Sequence, residues 1–450
     1  MARVLLVSSN VSEEPFPVYP LGLAVVAAGL VREGHKVESF DFLASGVSED
    51  LLRDTIAAVA PDYVCISIRN LDNCDSICPV SYSEIAKRLV EVSRQATGAP
   101  VIIGGAGFSI LPEEMLAFTG ADYGVVGEGE RLLAELIRDL SAGRSVAPLL
   151  RSREFLTGDQ MPSPLFSKEL IDYYLRQSGM INLQTKRGCP HLCAYCSYPG
   201  LEGRRFRYRD PAAVVDDLER AKADHGADSF FFTDSIFNDP QGQYLSVAEE
   251  ILRRQLSIRW CCYMRPSGFG RKEIAVLKQA GLYAVELGTD AGCETTLRAM
   301  NKGFSFADVI EVNRAFVAER LPCAHFVMFG GPEETPETVA EGLANIDQLE
   351  HCVVFAYSGI RILPNTALHA RAVAEGLLVA DVSLREPVYY MSPLIDAAVM
   401  NRTIETSFHG RRDRIFPPIE GQKRLNVVYG FGYRGLLWDH LIRFPKDAAS

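Results

Sequence analysis

Twice along this chain, short apolar runs rich in valine and isoleucine alternate with stretches of helical period, and that alternation narrows the fold more than any other feature. In the first series the predicted strands are Arg3–Val7, Lys36–Phe42, Tyr63–Ile68, Val101–Ile103 and Tyr123–Val126. Helical stretches separate them. Leu21–Arg32 runs into Gly34, and Leu133, Leu136, Ile137 and Leu140 mark one buried face after the last strand. Strands so continuously apolar are covered on both faces, so the series predicts a parallel, doubly wound, Rossmann-like α/β domain over residues 1–145. Ligands of such sheets bind beyond the carboxyl ends of the strands. The turns there are rich in glycine: Gly104-Gly105-Ala106-Gly107 and Gly127-Glu128-Gly129-Glu130.

The second series occupies residues 181–385. Its predicted strands are Ile181–Lys186, Ser229–Asp234, Ile258–Met264, Tyr283–Gly288, Cys323–Phe329 and Cys352–Ile362. Spacing leaves room for one helix between successive strands. Six such units make a partial (β/α)6 barrel of TIM type, with active groups at the carboxyl ends of the strands. Residues 146–180, with Pro148, Pro162 and Pro164, read as a linker with a short helical piece. Residues 386–450 read as a small extension that caps the substrate. Tyr389-Tyr390-Met391, Arg411-Arg412-Asp413-Arg414 and Tyr429–Trp438 are its candidate binding groups.

Bulk properties exclude some functions. The net charge of −11 is the wrong sign for a protein that tracks a phosphate backbone, which argues against nucleic acid as the main partner. Cysteine numbers 11, an odd count in a chain too long to need stapling. Such usage fits a reducing compartment where thiolates serve metals, so a cytoplasmic protein is expected. The longest apolar run, Leu21 to Val31, falls short of the ~18 residues that span a membrane.

Directly after the first strand of the second series stands Arg187-Gly-Cys189-Pro-His-Leu-Cys193-Ala-Tyr-Cys196. Three cysteines at this spacing on one loop can converge on a single metal centre. Four thiolates normally saturate an iron–sulfur cubane, so three leave one iron open. The spacing also differs from the paired Cys-x2-Cys of structural zinc.

At these residues the chain resembles the radical S-adenosylmethionine (SAM) superfamily. The resemblance implies a [4Fe–4S] cluster on Cys189, Cys193 and Cys196, with Tyr195 beside it and SAM on the open iron. It also implies SAM contacts at the strand ends. Asp234 and Ser235 stand where the family places a Gly-Gly-Glu-like segment for the amino group. Arg265 is assigned to the carboxylate, and Glu286 and Asp290 to the ribose hydroxyls. Gly330 and Gly331 lie beside adenine and ribose, and Leu363 covers the adenine. An electron donor such as flavodoxin or ferredoxin is implied as well.

A doubly wound domain ahead of such a barrel resembles the cobalamin-binding subclass. Pro20-Leu-Gly-Leu23, Gly104-Gly105 and Ala121-Asp-Tyr-Gly-Val-Val-Gly127-Glu-Gly-Glu130 carry that resemblance. It implies a third cofactor, cobalamin, with contacts at Gly104, Gly105, Gly127 and Glu128. The Asp-x-His-x-x-Gly that supplies a lower axial histidine is missing; Asp41-Phe-Leu-Ala-Ser-Gly46 has only its outline. The expected form is therefore base-off, with Ser67, Arg69 and Asn70 below the cobalt. The subclass implies C-methylation of a small-molecule, lipid-like or carrier-protein-bound substrate, through methylcobalamin and a 5′-deoxyadenosyl radical. Radical cyclisation or rearrangement is the alternative. A methylthiotransferase, with a second cluster on Cys65, Cys74 and Cys78, is the rival reading.

Overall fold

The computed structural model describes residues 1–152 and 154–444. Strands β1 (Arg3–Ser8), β2 (Lys36–Asp41), β3 (Tyr63–Ser67), β4 (Val101–Gly104), β5 (Tyr123–Val126) and β6 (Leu149–Arg151) pair in parallel in the order β2-β1-β3-β4-β5-β6. The sixth lies in the stretch expected to be linker, because three residues beside a proline carry no period to read. Helices α1 (Leu21–Arg32), α2 (Glu49–Val59), α3 (Ser83–Ala96), α4 (Ala106–Ile110), α5 (Pro112–Thr119) and α6 (Gly129–Ser141) connect the strands. Helices α1 and α6 pack on one face and the others on the opposite face, which is why alternate residues of β1 and β3 belong to two separate cores. The chain runs from β1 outward to β2 and then returns to β3 on the other side. That reversal opens a crevice at the carboxyl ends of β1 and β3, beside Ser8 and Ser67.

Helix α7 (Lys168–Gln177) leads into the second sheet. There follow β7 (Ile181–Leu183), a short hairpin of β8 (Lys186–Arg187) and β9 (Arg207–Tyr208) with α8 (Tyr198–Leu201) between them, then α9 (Pro211–His225) and β10 (Ser229–Phe232). The alternation continues through α10 (Gln243–Arg253), β11 (Arg259–Met264), α11 (Arg271–Gln279) and β12 (Leu282–Asp290). It ends with α12 (Glu294–Ala299), α13 (Phe306–Ala318), β13 (Cys323–Phe329), α14 (Pro336–Asp347) and β14 (Val353–Ser358). These six parallel strands are the predicted partial barrel.

The tail departs from expectation. Ile360–Arg361 (β15) pairs antiparallel with Tyr389–Tyr390 (β16), on either side of α15 (Ala367–Ala374), and both stay at the cysteine end of the barrel. After α16 (Ala397–Phe408), β17 (Arg414–Ile415) adds a seventh parallel strand beyond β14. Arg414 is not free to meet an acid ligand, since it already pairs with Asp413 at 3.0 Å. It is buried, and its guanidinium donates to the carbonyls of Cys352 at 3.1 Å and Ile346 at 3.2 Å. Helix α17 (Pro418–Gly430) and the residues after it then plug the amino ends of the strands, where Trp438 packs edge-on against Phe355 at 5.2 Å. An aromatic-rich tail looked like a substrate cap, but its buried residues Leu436, Leu437 and Trp438 join the core at the opposite end. Among the described residues no helix is long and apolar enough to cross a membrane.

Candidate active site

The carboxyl ends of the first sheet face the barrel across a cavity of about 400 Å³. Ser67, Arg69, Asn70, Gly104, Gly105, Gly127 and Glu128 all line it, and Gln184, Tyr198, Phe231 and Tyr263 face them from the barrel. One arm of the cavity runs between the sheet and α1, past Leu6, Cys65, Ile102 and Val125. The glycines divide into two jobs. At Gly22 and Gly127, both in the lining, no protein atom lies within 4 Å of where a Cβ would stand, so the backbone is bared to the cavity. At Gly105, with φ +97°, a Cβ would come within 2.5 Å of the Ile68 carbonyl oxygen. That glycine lets two loops close on each other. A roomy apolar slot with bare backbone fits a large flat cofactor carrying a tail. Arg69 has no hydrogen-bond or ion-pair partner among the described residues, and Tyr198 and Tyr263 feel its charge.

The cysteine loop is pinned by its own barrel. Cys189 N–H donates to the Gly203 carbonyl at 3.0 Å, and Ala194 N–H to the Met300 carbonyl at 2.9 Å. Leu368 N–H, at the start of α15, donates to the Ala194 carbonyl at 2.7 Å, and the Asn301 side-chain amide donates to the Leu192 carbonyl at 2.8 Å. The three thiols sit close enough to disfavour one another's ionisation; burial pushes the Cys196 thiol up to about 12, and Cys193 and Cys189 add to it. Lys302 and Arg265 provide the opposing positive charge. Among the described residues no three His, Cys, Asp or Glu side chains meet at a single ion. Ligands of a cubane need not, since each thiolate takes a different iron corner. Three thiols on a pinned loop, facing two cations, fit such a cluster.

Lys302 is the residue the sequence reading missed. It is buried, bonded to the Asp290 carboxylate, which also accepts from the Tyr195 hydroxyl. Burial works to discharge Lys302, but Asp290 and Cys193 hold its pKa above the ordinary lysine value. Its one sequence signal is the Met300-Asn301-Lys302-Gly303 turn after α12, where left-handed Asn301 (φ +55°) turns the chain back toward the loop.

Other expected contacts land elsewhere. Asp234 is fully buried, and its carboxylate accepts from the Thr185 amide at 2.7 Å, the Thr185 hydroxyl and the Lys186 ammonium at 3.3 Å. Those partners leave it nothing to offer a SAM amino group. Ser235 donates to the Gly188 carbonyl at 3.1 Å and so braces the cysteine loop. Arg265 stacks on Phe304 at 4.7 Å and faces the cysteines, where a carboxylate could reach it. Gly330 and Gly331 donate their amides to Glu334 at 2.5 and 2.9 Å, so their N–H groups are already engaged. Leu363 stands partly buried after β15, its carbonyl accepting from Thr366. Glu286 and Asp290 were expected to act together at a ribose. They part company: Asp290 is beside Lys302, and Glu286 lies four residues deeper on β12, opposite Tyr263.

Glu128 and Glu130 join the two sheets. The Glu128 carboxylate accepts from Arg207 at 2.7 Å, Arg187 at 3.0 Å and the Leu156 amide at 2.6 Å, and Glu130 pairs with Arg187. Against the upward push of burial, the two guanidiniums hold the Glu128 carboxyl below the ordinary range. Glu128 thus lines the cavity while its charge is spent on the barrel. A second tie closes the far side, where Asp72 accepts from Arg361 at 2.7 Å with both side chains buried. The rival cluster site does not assemble: Cys65 belongs to the core under α1 and α6, whereas Cys74 sits on the following loop beside Asp72.

Two family models match the chain: the radical SAM superfamily over residues 183–344 and the B12 binding domain over residues 9–137. Tryptophan 2-C-methyltransferase of Streptomyces laurentii is 26% identical over 438 residues, covering 80% of this chain and 72% of that protein. The anaerobic magnesium-protoporphyrin IX monomethyl ester cyclase of Rubrivivax gelatinosus is 25% identical, covering 63% of this chain and 54% of that one. Among solved structures, the radical S-adenosylmethionine methyltransferase TsrM from Kitasatospora setae, with cobalamin and a [4Fe–4S] cluster bound, superposes with a TM-score of 0.86. It is 25% identical, and the match covers 98% of this chain and 97% of that one.

Proposed function

We propose, since this chain is a cobalamin-binding radical SAM enzyme of the C-methyltransferase-like kind, that it methylates a carbon of a small aromatic molecule held between its two sheets. Its cofactors are a [4Fe–4S] cluster, SAM and cobalamin. When bound, they supply a cobalt-carried methyl group and one-electron cleavage of SAM, while the protein supplies position and a dry site. Cys189, Cys193 and Cys196 would hold the cluster, and Lys302 and Arg265 would offset the negative charge gathered there. Arg265 would also meet the SAM carboxylate, for which a guanidinium fork is suited. Gly22, Gly127 and the slot beneath α1 would receive the cobalamin, with Arg69 against it in place of a histidine. The Asp72–Arg361 and Glu128–Arg187 ties would keep water out of the chamber.

One observation carries this reading: a single cavity is walled by the cobalamin-side residues of one sheet and by Tyr198, Phe231 and Tyr263 of the other. The aromatic lining and the kinship to a tryptophan C-methyltransferase favour an aromatic substrate, free or carrier-bound. Flavodoxin or ferredoxin would supply the electrons, and the enzyme would work in the cytoplasm. The test is anaerobic turnover with methyl-labelled SAM and L-tryptophan as first probe, followed by small-molecule extracts. Label recovered on a product carbon is the expected result. Formation of 5′-deoxyadenosine with ring closure and no transferred label would replace methylation by cyclisation.

A further inference from the structure

Glu286 is a carboxyl that the fold buries without giving it a use. It is 4% exposed, in the middle of β12, and nothing among the described residues donates a hydrogen bond to it or pairs with it. Register fixes where it points. Its neighbour across β11 is Tyr263, and in parallel strands register partners share a face. Tyr263 lines the chamber and keeps 43% of its surface open although protein surrounds it, so Glu286 shares the chamber face. Its neighbour across β13 is the small Ala324, and Phe326 follows two residues above on the same face.

Aromatic rings share that face with the carboxyl. Phe231 packs on Tyr263 at 4.8 Å, and Phe326 lies 6.4 Å from Tyr357, whose hydroxyl feels the Glu286 charge. The other titratable groups that feel it are Cys261 and Cys262 of β11, Tyr263, and Tyr429 of α17. None of them is cationic. Burying a carboxyl with no partner costs free energy, so an isolated one on the chamber-facing side of the sheet, next to the lining residue Tyr263, points to a partner that arrives from outside. Aromatic faces around a carboxylate suit an organic cation, which gains from the ring quadrupoles as well as from the charge.

We propose that Glu286, framed by Phe231, Tyr263, Phe326 and Tyr357, anchors the ammonium group of an arylalkylamine substrate. This rests on the reading of the chamber as the substrate site. Burial alone pushes the carboxyl up to about 8, so the empty site holds a proton at neutral pH. Arrival of the ammonium replaces that proton with an ion pair, and the proton leaves to buffer.

Calorimetry on the cofactor-loaded enzyme, without SAM, tests this with tryptamine and with indole-3-propionate, which carries the opposite charge. Tryptamine should bind and indole-3-propionate should not. Repeating the titration in buffers of different ionisation heat should show about one proton released per tryptamine bound. In Glu286→Gln the affinity should fall ~10-fold or more and the proton release should vanish. No tryptamine binding, binding without proton release, or equal affinity in the variant would each overturn the proposal. Proton release is read on the unaltered enzyme, so a variant that folds poorly does not spare it. The two readings also fail separately: tryptamine captured by Glu286 without label transfer breaks only the methylation, and methylation of a substrate lacking an amine, unchanged in Glu286→Gln, breaks only the anchor.

Discussion

The two walls of the chamber prepare for their cofactors in different ways. The first sheet offers absence: bare backbone at Gly22 and Gly127, an apolar slot, and an Arg69 without a partner among the described residues. The cysteine loop of the barrel offers presence: three thiols, two facing cations, and hydrogen bonds to the Met300 carbonyl and from Asn301 and Leu368 that fix the loop. A large cofactor can be held by shape, whereas a small inorganic cluster needs ligands at set places. Loss of one ligand should therefore be drastic on one wall, and loss of space graded on the other.

The sharpest break is Cys193→Ala. Iron should fall from about four per chain to near none, with SAM cleavage abolished and cobalamin uptake retained. Cobalamin lost in parallel would mean that the walls are one cooperative unit. Arg187→Met, next in size, attacks the joint. It leaves Glu130 buried without its cation and should cost about 3–5 kcal/mol in denaturant unfolding, loosening both cofactors together. An unchanged denaturation midpoint would show that the ion pairs do not hold the walls.

Glu286 gives a smaller effect with a definite sign. Burial raises its folded-state pKa to about 8, above the ~4.3 of an exposed glutamate. The native state therefore holds the extra proton between these limits, and stability falls as pH rises through that window. Glu286→Gln should remove that slope and gain about 3–5 kcal/mol over the parent at the alkaline end. A residual slope of the same sign should remain from Glu334, whose carboxyl burial pushes up to about 7. Equal slopes in parent and variant would show that Glu286 is not buried alone. Least in size is Gly22→Leu, which fills space on the first wall. Cobalamin affinity should drop ~10-fold, as overpacking does, with iron content unchanged.

What the sequence reveals follows the same division. The cysteine motif was legible because its ligands lie within eight residues, and the slot because glycines mark strand ends wherever they fall. Lys302 was not: it meets Tyr195 only after a helix end and a left-handed turn bring it back across the barrel. Asp234 misled for the converse reason. A strand-end acid looks available until Thr185 and Lys186, on a neighbouring strand end, are seen to engage it. The tail misled because aromatic composition does not say which end of a barrel it closes; Trp438 and Arg414 went to the core. Glu286 was visible as an acid on a strand, but its isolation is a property of neighbours on β11 and β13.

The account stands most directly on cofactor content. Enzyme produced with cobalamin and purified without oxygen should contain about one cobalamin and four iron per chain. Four iron with no cobalamin would contradict it, reducing the first sheet to a scaffold and leaving the chamber without the cofactor it is shaped to hold.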